Sequence, residues 1–156
     1  MTMQGRMPFP HEPVGLNELG QYDALIDARS PAEFAEDAIP GAINCPVLDN
    51  EERRIVGTLY KQVGAFEARR VGAAMVAANL ARHLRGPLAD KPSDWRPLVY
   101  CWRGGSRSGA LAHVLAQIGW KTGRLDGGYR AYRRTVIADL ETIPSTLALK
   151  VVCGMT

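Results

Sequence analysis

The chain has 156 residues, of which 46% are hydrophobic and 22% are charged, and its formal net charge is +3. This length predicts one domain with one core, and the mild basicity is compatible with an anionic substrate or a nucleic acid without being diagnostic of either. The cysteine count is odd, and neither a signal-peptide region nor an apolar span of roughly 18–20 residues occurs; we therefore predict a reduced, cytoplasmic protein without a membrane partner.

The first part of the chain predicts a tail, two short strands and a helix. Residues 1–13 are expected to be a loose tail. A buried strand is predicted over 24–28, and Ser30, Pro31 and Glu33 then form a capping box that starts a short helix. Asp27 lies at the strand end, where it is either catalytic or holds loop amides or an arginine. A turn and a second strand follow over 39–44, before a Cys45 that is expected to be buried.

Two longer helices are predicted next. The first is capped by Asp49 or Asn50, and the second runs over 65–85 and ends at Gly86 and Pro87; residues 88–96 form a linker. The basic residues of these helices alternate with glutamates, which favours a solvated face over a nucleic-acid site. They are Arg53, Arg54, Lys61, Arg69 and Arg70.

The segment over 96–119 reads as strand, loop and helix. A short apolar strand over 98–100 ends at Cys101, and helical spacing of apolar residues begins at Arg107 and stops at Gly119. In an open parallel sheet, such a junction lies at the carboxyl edge of the strands, where ligands bind. We therefore expect Cys101 to face a ligand site.

The loop after Cys101 is rich in glycine and arginine, and its backbone N–H groups are expected to form a nest for an anion at a helix N-terminus. The same field would stabilise a thiolate, so Cys101 is predicted to have a lowered pKa and to act as a nucleophile. The predicted anion-binding loop consists of Trp102, Arg103, Gly104, Gly105, Ser106, Arg107 and Ser108.

The rest of the chain predicts one more strand and helix around a second glycine loop. A strand over 121–125 is followed by Gly127 and Gly128, which should lie beside the Cys101 loop at the same sheet edge, and by a helix over 129–140. A last apolar strand is predicted over 147–152. The three histidines have no spacing typical of a zinc site, so no metal is predicted.

Four stretches in this order resemble a rhodanese domain across roughly residues 14–140: DARSPAEF from Asp27, IPGAIN from Ile39, the Cys101 loop, and LDGGY from Leu125. The resemblance implies an α/β, rhodanese-like three-layer fold, with a central parallel sheet of about five strands and helices on both faces. It also implies that Cys101 is catalytic, with Asp27, Arg29, Gly127 and Gly128 in supporting roles.

The finer pattern CWRGGSRS, together with VGTLYKQVG from Val56, is similar to the N-terminal domain of bacterial tRNA 2-selenouridine synthases. In that family the rhodanese cysteine carries selenium, and a following P-loop domain completes an enzyme that converts wobble 2-thiouridine to 2-selenouridine through a geranylated intermediate. The resemblance implies selenophosphate and geranyl diphosphate as substrates of the full-length enzyme, tRNA as its partner and no cofactor in this domain. Residues 141–156 are then expected to be a linker and the first strand of a truncated P-loop domain.

The spacing of the loop keeps two other functions open. Arg107 lies six positions after Cys101, as in Cys-x(5)-Arg phosphatases and arsenate reductases related to the rhodanese fold, and a non-catalytic binding module is a further alternative. Against a phosphatase, the usual histidine before the cysteine is Tyr100, and the loop has no carboxylic acid to protonate a leaving alkoxide. In the favoured mechanism, the Cys101 thiolate attacks the selenium of selenophosphate or the outer sulfur of a persulfide donor, while Arg107 and the nest hold the phosphate.

Overall fold

The structure, a computed structural model, describes residues 13–143, 147, 148 and 150. The described part contains a parallel sheet whose strands are β1 (Pro13–Val14), β2 (Ala24–Asp27), β3 (Ile43–Asn44), β4 (Pro97–Tyr100) and β5 (Gly123–Leu125). Its α-helices are α1 (Pro31–Glu36), α2 (Asn50–Gln62), α3 (Ala65–Arg85), α4 (Ser106–Ile118) and α5 (Gly128–Thr142). A 3-10 helix over Leu16–Gln21 connects β1 to β2.

The strands pair in the order β1-β5-β4-β2-β3, and each pair is parallel. The central strand β4 is buried along its whole length, and its last residue, Tyr100, pairs with Asp27 at the end of β2. Because the strands are parallel, their carboxyl ends meet at one edge of the sheet, which becomes the site edge.

Successive residues of the strands face two separate layers, as the pleat of a strand requires. On one face, Ile26 and Val99 pack in a core cluster with residues of α3 and α4, including Leu111. On the other face, Leu98 packs with Tyr129 at the start of α5 and with the 3-10 helix. The predicted three-layer α/β fold is confirmed.

Most predicted elements are confirmed, with boundaries within a few residues. Asp49 caps α2, because its carboxylate accepts a hydrogen bond of 2.8 Å from the Glu52 N–H. The sequence does not predict β1, in which Pro13 pairs with Arg124, nor the 3-10 helix. Residues 1–12 of the expected tail lie outside the described residues. So does most of the predicted strand over 147–152; its described residues are not in a strand.

A buried ion pair joins the end of β2 to α5. Asp27 and Arg29 are 0% and 2% exposed, and two guanidinium nitrogens of Arg29 donate to the Asp27 carboxylate at distances from 2.7 to 3.1 Å. The Arg29 guanidinium also donates to the Asp37 carbonyl and lies 4.1 Å from the centre of the Tyr129 ring. The Asp27 charge counters the desolvation of Arg29 and raises its pKa, so the cation persists in the core.

We expect the Arg29→Met variant to lose about 3–5 kcal/mol of unfolding free energy, because the Asp27 carboxylate stays buried without its partner. The double variant Asp27→Leu/Arg29→Met should recover part of that loss. Urea denaturation followed by circular dichroism measures the unfolding free energy of wild type, of both single variants, including Asp27→Leu, and of the double variant. Strictly additive effects of the two single substitutions would show that the two charges do not act as a pair.

Candidate active site

Cys101 directly follows β4 and lies at the floor of the loop that leads into α4. It is 3% exposed, and its Sγ is 3.2 Å from the Ser108 Oγ in the first turn of that helix. An opening of about 360 Å³ leads to the sulfur. The lining residues are Cys101, Trp102, Arg103, Gly105, Ser106 and Arg107. Six members of the predicted catalytic and anion-binding set therefore line one opening.

The environment of Cys101 favours the thiolate. Burial alone would raise the pKa of this thiol, but hydrogen bonds from the Ser108 hydroxyl and from the backbone N–H groups of Ser108 and Gly105, with the charge of Arg107, lower it below its ordinary value. Cys45 lies in the same core cluster without such donors, and burial raises its pKa to about 11. The two thiols therefore differ in their readiness to react.

The second glycine loop lies directly against the Cys101 loop. The Tyr129 N–H donates to the Cys101 carbonyl at 2.8 Å, and the Arg130 N–H donates to the Trp102 carbonyl at 3.0 Å. Gly128 has a φ of 58°, and a β-carbon there would overlap the Cys101 carbonyl oxygen. The first turn of α5 therefore approaches the loop so closely that only glycine fits at this position.

Gly104, in the Cys101 loop, packs closely against the end of β5 and the second glycine loop. Its φ is 67°, and a β-carbon there would lie 2.7 Å from the Leu125 carbonyl oxygen at the end of β5. The Gly104 carbonyl in turn accepts a hydrogen bond from the Arg124 side chain. Sequence reasoning did not identify Arg124 as part of the site, because a single charged residue in a short strand carries no signal of its partner.

Arg107 is held at the mouth of the loop by an acidic residue of α1. Its guanidinium donates to the two Glu33 carboxylate oxygens at 2.6 and 3.2 Å, and Arg53 lies 3.3 Å from the same carboxylate. Burial opposes the charge on Glu33, but Arg107 and the Ser30 N–H and hydroxyl outweigh it and lower its pKa to about 2. The sequence around Glu33 indicates only a capping box. Its contact with Arg107, 74 positions away, has no local signal in the sequence.

The ion pair borders a second, polar cleft of about 490 Å³ beside the opening. Ser30, Glu33, Asn50, Arg53, Trp102 and Arg107 are among its lining residues. The supporting residues Asp27 and Arg29 lie elsewhere: they are buried behind the loop and do not line either opening. Their contact with the site runs through Tyr129, whose ring lies 5.7 Å from that of Trp102.

An apolar groove of about 510 Å³ runs between α2, α3 and α4 and ends at the loop. Val56, Tyr60, Gly72, Val76 and Val114 are among its lining residues, with Ser106 and Arg107 at the end nearest Cys101. Within the described residues, no cluster of three or more His, Cys, Asp or Glu side chains is arranged to hold a metal ion. Among those same residues, no helix has the length and apolar character needed to cross a membrane.

Comparison with known proteins agrees with this geometry. A model of the rhodanese-like domain matches residues 15–135. Curated relatives named tRNA 2-selenouridine synthase include one from Nitrosomonas europaea, 36% identical over 85% of this chain and 34% of the relative. Another, from Hydrogenovibrio crunogenus, is 40% identical over 77% of this chain and 34% of the relative. The chain thus spans about a third of the length of these relatives.

Two solved structures resemble the fold of this chain. The N-terminal domain of a protein described as ATP/GTP binding, from Clostridium difficile 630, is 35% identical with a TM-score of 0.69, over 81% of this chain and 99% of that one. A rhodanese-related protein from Thermoplasma volcanium is 18% identical with a TM-score of 0.50, over 80% and 93% of the two chains, and shows the fold alone. The family model, which matches residues 15–135, shows that the chain belongs to the rhodanese-like domain family.

Proposed function

We propose that this chain is a chalcogen-transfer domain in which Cys101 carries sulfur or selenium as a persulfide or perselenide, within a tRNA 2-selenouridine synthase. The observation that carries the proposal is the Cys101 sulfur, which has a lowered pKa and lies below backbone donors in an opening lined by arginines. The names of the sequence relatives, at 36% and 40% identity, support the tRNA-modifying context.

Loading begins with attack of the Cys101 thiolate on the outer sulfur of a persulfide or thiosulfate donor. The new S–S bond forms at Cys101, the donor's own bond to that sulfur breaks, and the leaving thiolate or sulfite keeps the electron pair. The N–H groups of Gly105 and Ser108, which now favour the thiolate, would stabilise the terminal anion of the product. A nucleophilic acceptor then takes the outer sulfur and restores the thiolate.

Selenium follows the same path from a donor of the perselenide class, because thiolate exchange at a terminal selenium balances in the same way. Attack at the selenium of selenophosphate would leave the electron pair on phosphorus, so release of phosphate in that step would need a further oxidant. We therefore assign the loading step to persulfide or perselenide donors. Conversion of selenophosphate into such a donor would need the same two-electron oxidation, so selenophosphate is not the donor in the loading step proposed here.

In the whole enzyme, the loaded Cys101 would serve conversion of wobble 2-thiouridine to 2-selenouridine through a geranylated intermediate. The relatives are about three times as long as the matched segment, and the conversion as a whole is assigned to that longer protein. The apolar groove that ends at Ser106 and Arg107 would receive the geranyl chain, since its walls are largely aliphatic. We assign the binding of geranyl diphosphate to a P-loop domain of the longer protein rather than to this groove.

A phosphatase needs a proton donor, and none of the described residues that line the opening above Cys101 carries a carboxyl group. Glu33 is the carboxylate that contacts Arg107, and with a pKa of about 2 it is ionised near neutral pH. An ionised carboxylate cannot protonate the alkoxide that a phosphate ester releases. The arrangement therefore favours transfer of a chalcogen, whose leaving groups are stable anions without protonation.

The first prediction concerns the reactivity of the cysteines. Alkylation by iodoacetamide across about pH 5.5 to 9, followed by peptide mass mapping, should give Cys101 an apparent pKa below the ~8.5 of a free thiol. Cys45 should stay unmodified in the folded protein, because burial raises its pKa to about 11. Faster reaction of Cys45 or Cys153 than of Cys101 near neutral pH would contradict the assignment of the nucleophile.

The second prediction separates sulfur transfer from phosphate hydrolysis. The protein should take sulfur from thiosulfate, gain one sulfur on Cys101 in intact mass, and pass it to cyanide as thiocyanate. Cys101→Ala should abolish both steps, whereas the matched Cys45→Ala control should retain them, because Cys45 lies outside the opening. Hydrolysis of an aryl phosphate should stay at background; Cys101-dependent hydrolysis without sulfur transfer would instead favour the phosphatase.

The third prediction tests the ionisation of Glu33. Its carboxylate should contribute about 2 kcal/mol of unfolding free energy, after discounting for partial exposure. Since its folded pKa of about 2 lies below the ordinary 4.5, that contribution is complete above pH 4.5 and is lost as the pH falls toward 2. Denaturation of wild type and Glu33→Gln should therefore converge in acid. If the stability difference between wild type and Glu33→Gln instead changes near neutral pH, Glu33 is protonated there and could act as the general acid of a phosphatase.

A further inference from the structure

The first half of α5 presents a row of arginines. Arg130, Arg133 and Arg134 are exposed and lie three and four positions apart, which places them on one side of the helix. Within the described part of the chain, none of the three forms an ion pair. Their charge is therefore available to a partner.

Two arginines of α2 and α3 provide a contrast within the same chain. Arg54 pairs with Glu51 at 2.5 Å, and Arg70 pairs with Glu67 at 2.5 Å, each one turn along its own helix. At these two positions the predicted alternation of charges produces local neutralisation. On α5 the next acidic residue after the arginine row is Asp139, beyond one further turn of the helix.

A row of aromatic rings leads from the site to the start of α5. The Trp102 and Tyr129 ring centres are 5.7 Å apart, and those of Tyr129 and Tyr132 are 6.2 Å apart. Tyr129 is buried, whereas Trp102 and Tyr132 are partly exposed, and Trp102 lines both the opening and the polar cleft. The partly exposed Trp102 ring thus lies next to Cys101. Tyr132 lies on a different face of α5 from Arg130 and Arg134, because residues two positions apart on a helix do not share a face.

The arginine row is fixed relative to the nucleophile. The Tyr129 and Arg130 N–H groups donate to the Cys101 and Trp102 carbonyls, so the first turn of α5 is attached to the loop itself. Arg103, within that loop, is exposed and also forms no ion pair among the described residues. Positive charge and aromatic surface are therefore presented together at the opening above Cys101.

We propose that Trp102, Arg103, Arg130, Arg133 and Arg134, here called the loop–α5 surface, bind a single-stranded segment of RNA, with phosphates on the arginines and a base stacked on Trp102. The inference rests on the proposed function and names the face that receives the RNA. Exposed cationic side chains beside an aromatic ring suit a single strand of RNA, because its phosphates need charge and its unpaired bases need a stacking partner. An acidic protein segment would use the charges and leave Trp102 without a role.

The test is the salt dependence of RNA binding, measured by fluorescence anisotropy with a labelled single-stranded RNA dodecamer at about 50 to 200 mM KCl. Arg133→Gln/Arg134→Gln should weaken binding roughly tenfold and reduce the slope of log K against log salt by about 1.4, since each phosphate contact on a single strand contributes about 0.7. Trp102→Leu should weaken binding with the slope unchanged, because stacking releases no counterions.

The matched control is Arg82→Gln/Arg85→Gln, which removes the same charge from exposed positions in the last turn of α3. Its RNA affinity and slope should equal those of wild type. Equal losses in the two double variants would overturn the inference, because binding would then follow net charge alone. Displacement of the RNA by a polyglutamate peptide of matched charge at the same concentration would also overturn it, in favour of an acidic protein partner.

Loading of Cys101 by thiosulfate is measured on the wild-type protein in parallel. If Cys101 of the wild-type protein is loaded but the two double variants bind RNA with equal affinity, the proposed RNA surface is wrong. The proposed function then still stands. Absence of loading contradicts the proposed function, whatever the anisotropy shows. The two failures are therefore distinguishable.

Discussion

The buried pair of Asp27 and Arg29 helps to position the start of α5 against the Cys101 loop. Arg29 is held by a carboxylate from the end of β2, and its guanidinium lies against the Tyr129 ring. Tyr129 in turn donates its N–H to the Cys101 carbonyl. The buried ion thus helps to locate the start of α5, and α5 forms one wall of the Cys101 loop. Two charges that do not line the opening therefore help to fix the position of Cys101.

The two described cysteines have similar positions in the chain but opposite pKa shifts. Both directly follow a strand at the carboxyl edge, and both lie in the same core cluster. Cys45 is followed by Pro46, which has no N–H, whereas Cys101 is followed by a loop whose amides turn back toward the sulfur. Burial acts on both thiols, and the presence or absence of donors decides the direction of each pKa shift.

Local patterns predicted most of the fold and the centre of the site. Some features depend on only a few neighbouring residues and can be recognised in the sequence. They are the cap at Asp49, the apolar strand before Cys101 and the glycines after it. The ion pair of Arg107 with Glu33 joins residues 74 positions apart, and β1 finds its partner more than 100 residues later. Neither leaves a periodic or compositional signal, because both exist only once the sheet has brought distant segments together.

Within residues 13–143, the two outer strands of the sheet, β1 and β3, are each described over two residues. A sheet edge exposes unpaired N–H and C=O groups that can recruit a strand from another molecule, and the hazard grows with the length of the edge. The longest pairing joins β2 and β4 in the centre, and each of these strands has 4 residues. In the described part of the sheet, the outer strands therefore offer other chains less backbone to extend than the central strands would.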